Sequence, residues 1–187
     1  MLNRLKSVGA ITVKPMLLVI VAVMVVVTVG CSQSLNDYQG QTGELDVKQY
    51  FDGKLMAWGI VSDRSGVVKR RFTATIDASW QGDTGVLDEV FQFDDGEQQT
   101  RIWQLSVNGD EITGTAGDVV GEASGSVVAY AMNWQYDLII EVDGEEWVVG
   151  VNDWLYQVDD NVIINIGTLR KFGLEVGQVV LFMQKQH

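Results

Sequence analysis

The chain has 187 residues, with 13 Lys plus Arg against 25 Asp plus Glu, one His, one Cys and one Pro. That length suits one ordinary domain, and a net charge of −12 argues against a nucleic-acid partner, whose phosphates demand a basic face. One Cys excludes an internal disulfide and a multi-Cys zinc site, and the lone His187 leaves no His for a buried nucleophile–His pair.

The N-terminus carries Arg4, Lys6 and Lys14 and then runs from Met16 to Val29 without a charge. A membrane span needs about 20 apolar residues, so this run has the proportions of a signal-peptide h-region behind a positive n-region. It ends at Val29-Gly30-Cys31-Ser32, which resembles the lipobox of bacterial lipoproteins, although Thr28 replaces the usual aliphatic residue. The resemblance implies cleavage before Cys31, acylation of Cys31 and firm anchoring by several chains. Ser32 is not the Asp of an inner-membrane retention signal, so the outer membrane, periplasmic side, is favoured. Loss of residues 1–30 leaves 10 basic residues against 25 acidic ones, a net −15, and no proline. The acyl chains, rather than a basic patch, must then hold the protein at the membrane.

Residues 31–44 read as the lipidated Cys and a polar tether, and 45–187 as one domain. A turn or two of helix is expected near Asp46–Phe51. Beyond it, Gly, Asp and Asn clusters separate segments rich in Val, Ile, Thr and aromatics, the composition of strands. About nine strands are expected, at roughly 54–62, 67–80, 86–93, 97–107, 111–117, 123–142, 146–158, 162–170 and 175–185. Period two is clear in Phe72, Ala74, Ile76, Ala78 and Trp80, and again in the alternate residues from Val128 to Val142. Short turns make sequence neighbours into sheet neighbours, and a meander of this length closes to remove its edges. The expected fold is all-β: an antiparallel up-and-down barrel of about 8–9 strands with one short N-terminal helix; a two-sheet sandwich is the alternative.

One turn sets a register. Phe93-Asp94-Asp95-Gly96-Glu97 fits a three-residue hairpin loop with Gly96 left-handed. It pairs Phe91 with Gln99, Glu89 with Arg101 and Leu87 with Trp103, and places an ion pair on an aromatic face.

Several motifs stand together: Ala57-Trp58-Gly59 through Gly66, Arg70-Arg71-Phe72, Trp80-x-Gly82-Asp83, Phe93 to Glu97, Arg101-x-Trp103, Gly117 to Gly121, Asn133-Trp134-x-Tyr136, Asp153-Trp154-x-Tyr156 and Lys171-Phe172-Gly173. In combination they resemble the proteobacterial lipoprotein family catalogued as domain of unknown function 3833, from about Leu45 to Lys185. The resemblance implies an exported lipoprotein and assigns no activity; neighbouring genes for fatty-acid modification in that family hint at lipid. This chain departs at Ile166, where the family usually has an Arg after Asn165. The architecture is also similar to that of lipocalins, a likeness of fold that transfers no function.

Barrels of eight strands either fill their interior or hold one small ligand. Trp58, Trp103, Trp134 and Tyr136 are the expected pocket lining, and Glu89, Phe91 and Arg101 the expected polar-head site. Asp94-Asp95 and Asp159-Asp160-Asn161 read as turn chemistry rather than calcium ligands. Lys69-Arg70-Arg71 splits across two faces and reads as local neutralisation. The crowded Gly114, Gly117, Gly121 and Gly125 mark a bulge, a bend or a close approach rather than a phosphate loop. No residue pattern points to a cofactor or metal; a carboxylate-based hydrolase, which needs only two acids, is the low-ranked alternative, and no pair stands out among the 25. The leading expectation is a non-enzymatic envelope lipoprotein whose barrel takes an apolar or lipid-like ligand. The alternative is an interaction protein with a filled barrel, its protein partners unknown.

Overall fold

The structure, a computed structural model, describes residues 33–142 and 144–186. The signal segment, the Gly30-Cys31 junction and Asp143 lie outside the described residues. Ten antiparallel strands form a closed up-and-down barrel: β1 (Gly53–Asp63), β2 (Val68–Gln81), β3 (Thr84–Phe93), β4 (Gln98–Asn108), β5 (Glu111–Thr115), β6 (Val119–Val128), β7 (Ala131–Val142), β8 (Glu145–Asp159), β9 (Val162–Lys171) and β10 (Leu174–Lys185). Each strand pairs with its sequence neighbours, and β1 with β10 closes the ring. The sandwich alternative is therefore excluded.

The count exceeds the expected nine because 123–142 is not one strand. It belongs to β6 and β7, which turn at Ala129-Tyr130, with Ala129 at φ 52° and Val128 paired to Ala131. That turn contains no Gly, Asn, Asp or Pro, so the usual punctuation is missing. Val128 consequently shares the outer face with Ala131, whereas Met132, Trp134, Tyr136, Leu138 and Ile140 line the interior as their alternation requires.

The expected helix is a single turn, α1 (Val47–Tyr50), with the Asp46 carboxylate capping the Gln49 N–H at 3.0 Å. It plugs one end of the barrel. Val47, Tyr50 and Phe51 are buried there. The Tyr50 hydroxyl donates to the Met183 carbonyl at 3.0 Å, and the Trp80 indole N–H donates to the Phe51 carbonyl at 2.8 Å. These bonds satisfy polar atoms that would otherwise be stranded in the floor.

Part of the segment read as tether is ordered against the wall. A 3₁₀ turn, Leu35–Tyr38, sets the Tyr38 ring 5.6–5.9 Å from those of Tyr130, Trp154 and Tyr156. This contact gives the outward-facing Trp154 its cover.

Three basic side chains in sequence split as the alternation requires. Lys69 pairs with Asp63 and Arg71 with Asp94, each at 2.8 Å, while Arg70 turns inward to Asp95 and Glu97. The acidic turns serve their own backbones: Asp95 accepts from the Glu97 N–H and Asp159 from the Asn161 N–H.

Candidate functional site

Inside the barrel lies a continuous cavity of about 660 Å³. It runs from Val47 and Phe51 at the plugged end to Arg70, Phe93 and Glu141 near the opposite hairpins. Its volume falls within the range of small-molecule sites, about 300–1,000 Å³. Room comes from small residues on the first two strands. Ala57 and Ala74 sit opposite each other in the β1–β2 register, and both line the cavity. A second depression of about 430 Å³, lined by Ser79, Gln81, Gln104 and Glu122 among others, gathers no cluster of ionisable groups.

The β3–β4 hairpin has the expected register. Gly96 adopts φ 93°, the Phe93 N–H donates to the Glu97 carbonyl, and Glu89 pairs with Arg101, Leu87 with Trp103 and Phe91 with Gln99. Of the seven expected site residues, Glu89, Phe91, Arg101, Trp103, Trp134 and Tyr136 line the cavity. Trp58 does not. It lies on the outer wall, 42% exposed, with its ring 5.8 Å from that of Phe182. The inward positions of β1 are instead Leu55, Ala57, Gly59 and Val61, and the Phe72 ring lies across Gly59 where a side chain would otherwise stand. An aromatic inside the barrel thus occupies the space of a β1 side chain, and the β1 aromatic faces out.

The aromatic floor is tightly assembled. Trp103 meets Trp134 and Tyr136 edge-on, with centroids 5.6 and 5.3 Å apart. Gly114 admits the Leu105 side chain and the edge of Trp134, Gly125 admits the Trp134 ring and the Asn133 backbone, and Gly121, at φ 71°, lies in the bulge of β6.

Beside these rings three carboxyls converge: Glu89, Asp118 and Asp153. Asp118 reaches in because β5 has only five residues, so the wall is low where its turn enters β6. The Arg101 guanidinium binds Asp118 at two points, Nε at 2.9–3.0 Å and Nη2 at 2.8 Å, and stands 3.8 Å from Glu89. The Arg101 and Glu89 side chains are only 16% and 13% exposed, against 35% for Asp118. Burial works against the Arg101 charge, but hydrogen-bonded Asp118 and nearby Glu89 hold its pKa above the usual range.

The two deeper carboxyls are raised. Burial pushes Glu89 up to about 7, against the opposing pull of Arg101, and Asp118 adds to the rise. Burial likewise pushes Asp153 up to about 6, although the Asn165 amide and Tyr136 hydroxyl hydrogen-bond to it. Burial also lifts the Tyr136 phenol well above its ordinary value. Gly167 makes room for Asp153: a Cβ there would collide with the carboxylate.

Asp118, Asp153 and Asn165 were absent from the residues expected at the site. Asp153 and Asn165 had a legible signal. They continue the period-two runs Val149, Val151, Asp153, Leu155 and Ile163, Asn165, Gly167, both of which are buried. Asp118 sits in a turn, where alternation says nothing.

At the mouth, the Arg70 guanidinium lies 3.7 Å from the centre of the Phe93 ring. Its Nε is the one buried side-chain polar atom among the described residues with no hydrogen-bond partner. No helix among the described residues is long and apolar enough to cross a membrane.

Among solved structures, the fold is similar to that of the S-type phycobiliprotein lyase CPES from Guillardia theta. The TM-score is 0.56 at 6% identity, over 83% of this chain and 99% of that one. That likeness shows a shared lipocalin-like barrel. No curated protein sequence matches the chain. The profile of the family described as "Protein of unknown function (DUF3833)" matches residues 25–185, the motif-bearing part of the chain, and the protein belongs to that family.

Proposed function

We propose that this protein is a ligand-binding envelope lipoprotein, anchored in the outer membrane through acylated Cys31, facing the periplasm and holding an apolar or lipid-like molecule inside its barrel. The observation that carries the reading is the continuous cavity of about 660 Å³, closed by α1 and lined mainly by apolar side chains around one polar cluster. A barrel whose role was purely structural would fill that space with large residues, whereas Ala57 and Ala74 keep it open. The lipocalin-like architecture supports the same reading. In it the buried carboxyls orient a ligand and do not turn it over, so the protein is a binder and not an enzyme.

Detergent-free native mass spectrometry of protein from its own cells tests the binding half. The expected spectrum holds a one-to-one adduct of a small molecule; only the bare mass would contradict it. Cys31→Ser tests the anchor. The variant is expected to leave the membrane fraction or to remain unprocessed, and unchanged extraction with no shift in mature mass would overturn the lipoprotein reading.

A further inference from the structure

The cavity is unbalanced in charge. Three carboxyls, Glu89, Asp118 and Asp153, face one interior guanidinium, Arg101, whose two-point contact goes to Asp118, and a fourth carboxyl, Glu141, lines the mouth. Arg70 at the mouth is matched already by Asp95 and Glu97, at 2.8 and 2.7 Å. Glu89 therefore has the 3.8 Å contact with a shared cation and the neutral Trp103 indole N–H, and Asp153 has the neutral donors Asn165 and Tyr136. At that level the adjoining wall is Ile76 on β2, Asn165 on β9 and Leu181 on β10, which bring no further charge.

The same carboxyls sit among aromatic faces. Phe91, Trp103, Trp134 and Tyr136 all line this part of the cavity. The Arg101 guanidinium carbon already lies 5.6 Å from the Phe91 centroid and 5.9 Å from that of Trp103. Carboxylates flanked by aromatic rings form the complement of a positively charged nitrogen, which gains from both ion pairing and the ring quadrupoles. A carboxylate ligand would meet the opposite: Arg101 is occupied by Asp118, and two further carboxyls face the incoming charge.

We propose that the barrel selects an apolar molecule bearing a cationic or N–H-donating nitrogen, with that head against Glu89 and Asp153 and its apolar body filling the space towards Phe72, Phe93 and the mouth. This rests on the reading of the barrel as a binder. Burial raises Glu89 to about 7 and Asp153 to about 6, so near neutral pH Glu89 still holds part of its proton, and arrival of a cation displaces it.

The test is calorimetric titration of full-length protein, freed of detergent, with dodecylamine, dodecanol and dodecanoate at pH 7, each below its micelle concentration or solubility limit. The amine is expected to bind about ten-fold tighter than the alcohol, and the carboxylate more weakly than both. Heats for the amine are expected to vary with the buffer's ionisation enthalpy, because protons leave; this readout needs no variant. In Glu89→Gln/Asp153→Asn the amine's advantage over the alcohol is expected to shrink to about two-fold or less. That variant leaves the acidic outer surface intact and so separates cavity recognition from surface attraction. Should the double variant not fold, Glu89→Gln alone is expected to cut the advantage about three-fold. Dodecanoate binding as tightly as the amine, or an advantage that survives in the variants, would overturn the head-group inference while leaving the binder reading in place. Failure of all three probes to bind would instead remove the binder reading, and this inference with it.

Discussion

Arg101 and Asp118 are joined at two points, across a gap in the barrel wall that the five-residue strand β5 leaves open. The register partner of Arg101, Glu89, is 3.8 Å away and buried more deeply. The cross-strand neighbour is thus the weaker electrostatic partner. A turn residue 17 positions away in sequence is the stronger one.

A double-mutant cycle measures that ranking. Arg101 with Asp118 is expected to couple by about 1–2 kcal/mol, above the range of exposed pairs. Arg101 with Glu89 should couple less, because it is a single long contact. Arg101→Met is expected to destabilise by about 2–3 kcal/mol, since it strands both acids. Equal coupling in the two cycles, read from urea midpoints, would contradict the geometry.

Glu89 ties stability to pH. Its carboxyl rises from an ordinary 4.5 to about 7 on folding, so between those values the folded state keeps a proton that the unfolded state has released. By linkage, stability falls as pH rises through that window and levels off above it. Asp153 adds a contribution of the same sign between 3.8 and about 6. Glu89→Gln is expected to flatten the slope by an amount on the order of 2 kcal/mol across the window. Thermal melts at pH 5, 6, 7 and 8 check this; a variant as steep as the wild type would contradict it.

The floor depends on a few directional bonds. Tyr50→Phe removes donation to the Met183 carbonyl at 3.0 Å and leaves that acceptor buried, at an expected cost of about 1–2 kcal/mol. Amide exchange is the sharper readout. Protection should fall at Gln49, Tyr50 and Phe51, whose N–H groups bond the Asp46 carboxylate, the Asp46 carbonyl and the Val47 carbonyl, while the centre of β7 and β8 stays protected. Uniform loss over the barrel would show that α1 is not a separable plug.

Much of this architecture was legible because strands advertise themselves. The alternation of Phe72, Ala74, Ile76 and Ala78 and the three-residue turn at Gly96 predict both the inner face of β2 and the β3–β4 register that the structure has. Interior chemistry was harder to see where a polar residue took an inward position. In Asn133-Trp134-x-Tyr136 the aromatics point in. In Asp153-Trp154-x-Tyr156, the same pattern by eye, the phase is reversed: Asp153 lines the cavity, and Tyr38 packs against Trp154 and Tyr156. Trp58 misleads for the complementary reason, since Phe72 already occupies the space inside Gly59. Residue type alone does not say which side of a closed sheet is the inside; partners across the barrel do.

Whether the barrel interior holds a ligand is tested most directly by equilibrium binding of dodecylamine to wild-type protein and to Ala57→Phe. Ala57 is fully buried, faces the cavity opposite Ala74, and has open space before it, so the larger ring should fill the pocket without unfolding the chain. The expected result is saturable one-to-one binding by the wild type and at least a roughly ten-fold loss in the variant at unchanged far-ultraviolet circular dichroism. Binding of equal strength to both proteins, or failure of dodecylamine, dodecanol and dodecanoate alike to bind the wild type, would contradict a ligand site inside the barrel.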